Sequence, residues 1–231
     1  RTNKNPQILL SRTNAGLVKR LFEMEVPEIQ EGIVHIKSIS REAGSRTKMA
    51  VKSIDENIDP IGACVGTQGA RVRNIVDELG DEKIDIVKYS DDPATFIEAA
   101  LSPSKVTRVF IDEANKSAIV IVPDYQLSLA IGKEGQNARL AARLTNWKID
   151  IKPESEFGPE EEAALLEEIE KNKIAAEEEA KRLAEEAELK AQEEAEILAG
   201  QDEEDFETGE TSELESEESD LGEDVQEEIQ D

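Results

Sequence analysis

Apolar residues change their spacing several times along the chain, and each change marks an element. Leu17, Val18, Leu21 and Phe22 recur at helical spacing behind Asn14, a residue suited to cap a helix, and Pro27 ends the pattern. Between residues 33 and 54 the period falls to two. Thr47, Met49, Val51 and Ser53 alternate with Lys48, Ala50 and Lys52, and Ala43-Gly44-Ser45 supplies a turn, which predicts a β-hairpin. Asp59-Pro60 then opens a helix carrying Cys64, followed by a short loop, a helix to about residue 79 and a strand over 84–89. Asp92-Pro93 starts the same order again. A helix bears Phe96, Ile97, Ala100 and Leu101; strands over 106–112 and 117–123 flank Glu113-Ala114-Asn115-Lys116; helix, loop and helix fill 126–144; a strand closes at 148–152. In both stretches the order is helix, strand, strand, helix, loop, helix, strand.

The two stretches share residues as well as pattern. Gly66-Thr67-Gln68-Gly69 returns sixty-six positions later as Gly132-Lys133-Glu134-Gly135, and Lys83-Ile84-Asp85-Ile86 returns at an offset of sixty-five as Lys148-Ile149-Asp150-Ile151. Two copies of one module of about 65 residues are the expectation. Paired glycines let the backbone bend where a side chain would clash. The helix that follows begins with unpaired amides and the positive end of its dipole, an arrangement suited to an anion. One such loop also serves as a plain helix-turn-helix corner, but two in matching context point to phosphate.

A Gly-x-x-Gly loop between two short helices, followed by a strand, resembles the KH fold, whose loop clamps about four nucleotides of a single strand. Because the hairpin precedes the loop in both copies, the order resembles the bacterial, type II form. The expected fold class is therefore α+β with two tandem type II KH domains. These are preceded at 1–12 by a strand-like stretch around Ile8, Leu9 and Leu10, which reads as the last strand of something upstream. The expected domains are 13–90 and 91–153, then a charged helix at 154–200 and a disordered acidic tail at 201–231.

Charge sharpens this division. Of the formal net charge of −27, residues 1–152 carry +1 and the remainder −28, so the acidity belongs to the tail. From Pro153 onward the chain is mostly Glu, Ala, Lys, Leu and Ile, with Leu166, Ile169, Ala176, Ala180, Leu183 and Ala187 in loose three-four spacing. Lys173 and Lys190 interrupt that seam, which favours a solvated helix over a coiled coil, and beyond Gly200 the composition cannot bury enough surface to fold alone. A single cysteine excludes an internal disulfide, and no apolar run approaches the ~18 residues of a membrane span. A soluble cytoplasmic monomer is expected, lacking an N-terminal part because the chain starts at Arg1.

The candidate binding residues surround the loops. Thr67 and Gln68 are uncharged, so cations must come from Arg71 and Arg73, with Arg46, Lys48 and Lys52 of the hairpin as further candidates. In the second copy Lys133 can reach a phosphate, Glu134 would repel one, and Arg139 and Arg143 add charge; Gln136 and Asn137 can bond backbone or base edges, or cap the helix. Ile61 and Val65, and Ala130 and Ile131, either floor a groove for bases or simply pack the core. About five cations on phosphate predict a log-log salt slope of roughly −3.5. Aromatics are few, so stacking at ~1–3 kcal/mol per base cannot dominate. Trp147 and Tyr125 read as core edges. His35 stands alone, Cys64 reads as a buried thiol, and no catalytic, metal or cofactor pattern is present, so neither an enzyme nor a cofactor is expected.

Longer strings carry a more specific resemblance. Asp59-Pro60-Ile61-Gly62-Ala63-Cys64-Val65-Gly66, Gly69-Ala70-Arg71-Val72, Ala130-Ile131-Gly132 with Gly135-Gln136-Asn137, and Val26-Pro27-Glu28-Ile29 are similar to those of the NusA family of bacterial transcription factors. The resemblance covers residues 1 to about 155, and implies that the stretch at 1–12 is the end of an oligonucleotide-binding barrel. It implies binding of nascent single-stranded RNA during pausing, termination and antitermination. It also implies contact with RNA polymerase through the absent N-terminal region, work alongside other elongation and antitermination factors, and no membrane. Two other classes compete. RNA-degrading enzymes such as polynucleotide phosphorylase also carry KH and barrel modules, but there the barrel follows a single KH. Alternatively, the acidic tail binds basic partners or competes with RNA for basic faces.

Overall fold

The structure, a computed structural model, describes residues 10–204, with side chains described through residue 187 and at Lys190. The strand expected at 1–12 falls almost wholly outside the described residues, as does the acidic segment from 205. The described chain divides into a first unit ending at Glu177 and a second beginning at Glu178.

The first module opens with α1, Ala15–Glu25, whose start is fixed by Asn14 Oδ1 accepting from the Gly16 amide at 2.7 Å. Pro27 does more than stop that helix: it occupies the first position of a single further turn, α2, Pro27–Gln30, where its missing N–H costs nothing. Strands β1, Val34–Glu42, and β2, Arg46–Ser53, pair antiparallel with a register shift between Ile36 and Ser38. Helices α3, Pro60–Val65, and α4, Ala70–Glu78, flank the first glycine loop, and β3, Lys83–Lys88, joins β2 in parallel. The sheet order is β1-β2-β3. The second module repeats it with α5 (Pro93–Ala100), β4 (Arg108–Asp112), β5 (Ser117–Val122), α6 (Asp124–Ile131), α7 (Gln136–Thr145) and β6 (Lys148–Pro153), in sheet order β4-β5-β6. Both modules thus have the expected order of elements.

One core of the first module lies between its helices and sheet, around Val18, Phe22, Met49, Val51, Cys64 and Ile75. Each large side chain there contributes about 1.5–3 kcal/mol by leaving water. The alternation in β2 does not alternate between core and solvent, however. Thr47, Lys48, Met49, Ala50 and Val51 are all buried, because α7 of the second module packs on the opposite face of the same sheet. Ala50 and Val87 accordingly belong to the core of the second module, with Phe96, Ile97, Leu101, Ala141 and Leu144. The first sheet is a layer shared by two cores.

The N-terminal part of α8, Pro159–Glu204, lies beside the second sheet. Leu165 and Ile169 face Phe110, Asp112, Ser117 and Ile119 across a small cavity of about 90 Å³. Arg108 pairs with Glu162 at 2.5 Å, and Asn172 Nδ2 donates to Asp112 at 2.9 Å. The residue that faces the sheet is Leu165; Leu166, read as part of the apolar seam, is half exposed. Asp112 ends β4 as Glu42 ends β1, and each accepts from an amide side chain of its covering helix, Asn172 in one case and Gln136 in the other. In the second unit the described helix continues to Glu204, with Lys190 and Glu186 paired at 2.8 Å.

Candidate nucleic-acid interface

Both glycine loops adopt one backbone shape. The Asp59 carboxylate accepts from the amides of Ile61 and Gly62 at 3.1 and 2.9 Å and fixes the start of α3, which ends when Gly66 turns to φ 72°, ψ 177°. Only glycine reaches that region without severe strain. Gln68 follows at φ 53° and Gly69 at φ 75°, and the Gly69 amide closes the turn on the Gly66 carbonyl at 3.1 Å. In the second module Gly132 has φ 76°, ψ 174°, Glu134 φ 53° and Gly135 φ 73°, and Gly135 N–H reaches the Gly132 carbonyl at 3.2 Å. Among the described residues no protein acceptor meets the amides of Thr67 and Gln68, or those of Lys133 and Glu134. Each loop therefore offers two open N–H groups beside the positive end of a helix.

Side chains at matching positions behave alike. Arg73 Nη2 donates to the Gln68 carbonyl at 3.4 Å and Arg139 Nη1 to the Glu134 carbonyl at 3.4 Å. Both arginines are exposed, as is Lys133. Arg71 and Asn137 turn inward instead. Arg71 Nη1 donates to the Ala63 carbonyl at 2.6 Å and to Glu28 Oε2 at 2.9 Å, whereas Asn137, 2% exposed, donates from Nδ2 to the carbonyls of Ala130 at 2.9 Å and Leu101 at 3.1 Å. Asn137 thus neither caps α7 nor faces solvent.

Residues 12–89 match the model of the NusA-like first KH domain and residues 93–158 that of the NusA-like second KH domain. The chain belongs to the NusA family. It is 60% identical over 168 residues to a protein of Halalkalibacterium halodurans, covering 73% of this chain and 43% of that one. A Bacillus subtilis protein is 62% identical over 156 residues (68% and 42%), and one of Mycobacterium bovis 58% over 150 residues (64% and 43%). All three are named transcription termination/antitermination protein NusA. The chain spans less than half the length of these relatives.

Within this NusA-type pair, the second loop lies against the first module. Gln136 Nε2 donates to Glu42 Oε2 and to Ser45 Oγ, both at 2.8 Å; Arg139 Nε donates to Glu42 Oε1 at 2.8 Å; Arg143 Nη1 lies 3.9 Å from the same oxygen. The hydrogen bonds from Arg139 and then Gln136 hold the Glu42 carboxyl below the usual carboxylate range. The hairpin cations are committed elsewhere. Lys48, expected to face a ligand, is fully buried, with Nζ on the Ser102 carbonyl at 2.7 Å and Asp85 at 3.2 Å, and burial pulls its pKa down. Arg46 pairs with Asp85 at 2.7 Å and Lys52 with Asp91 at 2.5 Å.

The aliphatic flanks also separate. Ile61 packs against the first core, Val65 is half-buried and Ala130 is fully buried, while Ile131 is 37% exposed at the mouth of its loop. Cys64 is buried as expected; burial, then the charge of Glu28, pushes its thiol up to about 12. Trp147 packs against the second core, but Tyr125, read as a core edge, is 77% exposed at the start of α6. His35 is exposed on β1. Among the described residues no cluster of His, Cys, Asp or Glu could hold a metal, and no helix is long and apolar enough to cross a membrane. Sequence reasoning missed Glu28 and Glu42. The repeat held one clue: position 71 is arginine in one copy and asparagine at 137 in the other, so charge is not what the position requires.

Proposed function

We propose that the two modules bind single-stranded RNA through their glycine loops, and that the chain serves transcription termination and antitermination at RNA polymerase. The observation that carries this reading is the repetition of one strained loop, each copy with two open amides at a helix start. The amides of Thr67 and Gln68, and of Lys133 and Glu134, donate to phosphate oxygens. Arg73 and Lys133 supply charge, Arg139, Arg143 and Gln136 flank the second loop, and Ile131 with Val65 and Ile61 offers shallow apolar contact to bases. Nascent RNA, the polymerase and other elongation factors are the partners, in the cytoplasm, with the chain as a monomer.

Arg73 and Lys133 have no carboxylate partner among the described residues. Two free cations predict a salt slope of about −1.4, well short of the −3.5 expected from five. The test replaces Thr67 and Gln68 with Asp in one variant and Lys133 with Asp in another; Asp tolerates the left-handed backbone at position 68. Fluorescence anisotropy with a labelled single-stranded RNA should show lost affinity in both, with circular dichroism unchanged. Folded variants that bind like the parent would refute the assignment.

A further inference from the structure

We propose that Arg71 and Asn137 are positioning residues that hold the two glycine loops in their binding shape and do not themselves touch phosphate; this rests on the reading that the loops bind RNA. The two side chains stand at the same place in the repeat, sixty-six residues apart. One is a guanidinium and the other a neutral amide. What they share is N–H donation.

Each donates to the end of the helix preceding its loop, where the last carbonyls have no partner within the helix. Arg71 takes the Ala63 carbonyl at 2.6 Å and Asn137 the Ala130 carbonyl at 2.9 Å. Each also ties the loop to the opening helices of its module: Arg71 through Glu28 of α2 at 2.9 Å, and Asn137 through the carbonyl of Leu101, just past α5, at 3.1 Å. Finally, each lies against the first glycine. A Cβ at Gly66 would stand 2.7 Å from Cγ of Arg71, and one at Gly132 would stand 2.9 Å from both Cβ and the backbone nitrogen of Asn137. The glycine is therefore required twice, by its own backbone angles and by the clamp packed on it. The Arg71 charge is taken up by Glu28, and the side chains of both are less than a third exposed. Among the described residues Asn137 Oδ1 has no partner, so the buried amide acts through what its Nδ2 holds.

A clamp and a phosphate ligand predict different responses to salt and to the loss of Glu28. The full chain is titrated with labelled single-stranded RNA across a salt series as Glu28→Ala, Arg71→Gln and Arg73→Gln. The clamp predicts that Glu28→Ala weakens binding at least threefold although it removes a negative charge, and that Arg71→Gln leaves the salt slope unchanged. Arg73→Gln should make the slope shallower by about 0.7. A tighter Glu28→Ala complex, or a slope shallower by about 0.7 in Arg71→Gln, overturns the clamp. A parent chain that binds no RNA overturns the function reading instead. Amide hydrogen exchange follows the loop without RNA: residues 66–71 should exchange faster in Glu28→Ala, and unchanged protection in a folded variant also overturns the clamp.

Discussion

Glu42 and Glu28 are both acids beside an arginine near a loop, yet they should act on RNA binding with opposite sign. Glu42 accepts Arg139 and Gln136 at 2.8 Å and has Arg143 at 3.9 Å, so one carboxylate restrains two cations at the second loop. Glu42→Ala frees both guanidiniums, while Gln136 keeps its bond to Ser45. The pairs are partly exposed, so the stability lost should stay within about 1 kcal/mol. For RNA the variant removes one anion that Arg139 links to the second loop, taken as about a Debye length, ~10 Å, from a phosphate bound there. At that range the Coulomb term is about 0.4–1.7 kcal/mol for an effective dielectric between water and a protein surface, so Kd should tighten roughly two- to eighteenfold at low salt. If both arginines then engage phosphate, the slope should steepen from about −1.4 towards about −2.8. Anisotropy titrations at several salt concentrations read both quantities. Weaker binding by a folded Glu42→Ala variant would refute the reasoning, because Glu42 would then be orienting Arg139 for RNA instead of restraining it.

Two further outcomes follow from buried groups. Glu82 accepts Arg41 twice at 2.9 Å, Thr47 Oγ1 at 2.5 Å and the Gly44 amide at 2.8 Å. Burial pushes its carboxyl up, but those bonds outweigh burial and hold it below the ordinary value. Its stabilisation is thus complete above the unfolded value of about 4.3 and is lost as pH falls through the folded one. Glu82→Gln should cost about 3–5 kcal/mol in urea unfolding by stranding Arg41, and should flatten the acid limb of the stability profile; a loss under ~1 kcal/mol would count against the network. Cys64, buried with its thiol at about 12, should react with a thiol reagent at neutral pH only as the first module opens, with labelling quickened by urea. Prompt labelling of the native chain would show that the core around it is open.

Local rules act over a few residues, and what obeys them was legible in the chain. Asn14 and Asp59 cap their helices, the hairpins follow period two, and the glycines sit where the backbone needs positive φ; the sixty-six-residue repeat then identified two modules of one kind. Long-range partners were not legible. Arg71 finds Glu28 forty-three residues away, and Arg139 finds Glu42 ninety-seven away. Nothing in the loop sequence separates a cation held by a carboxylate from one left for phosphate. Lys48 looks like a solvent-facing hairpin residue until α7 covers that face of the sheet, and Leu165 replaces Leu166 only when α8 meets the second sheet. Periodicity reports which face of an element is apolar, but the choice of ion-pair partner and the second covering layer depend on how finished elements pack together, and that is settled in three dimensions.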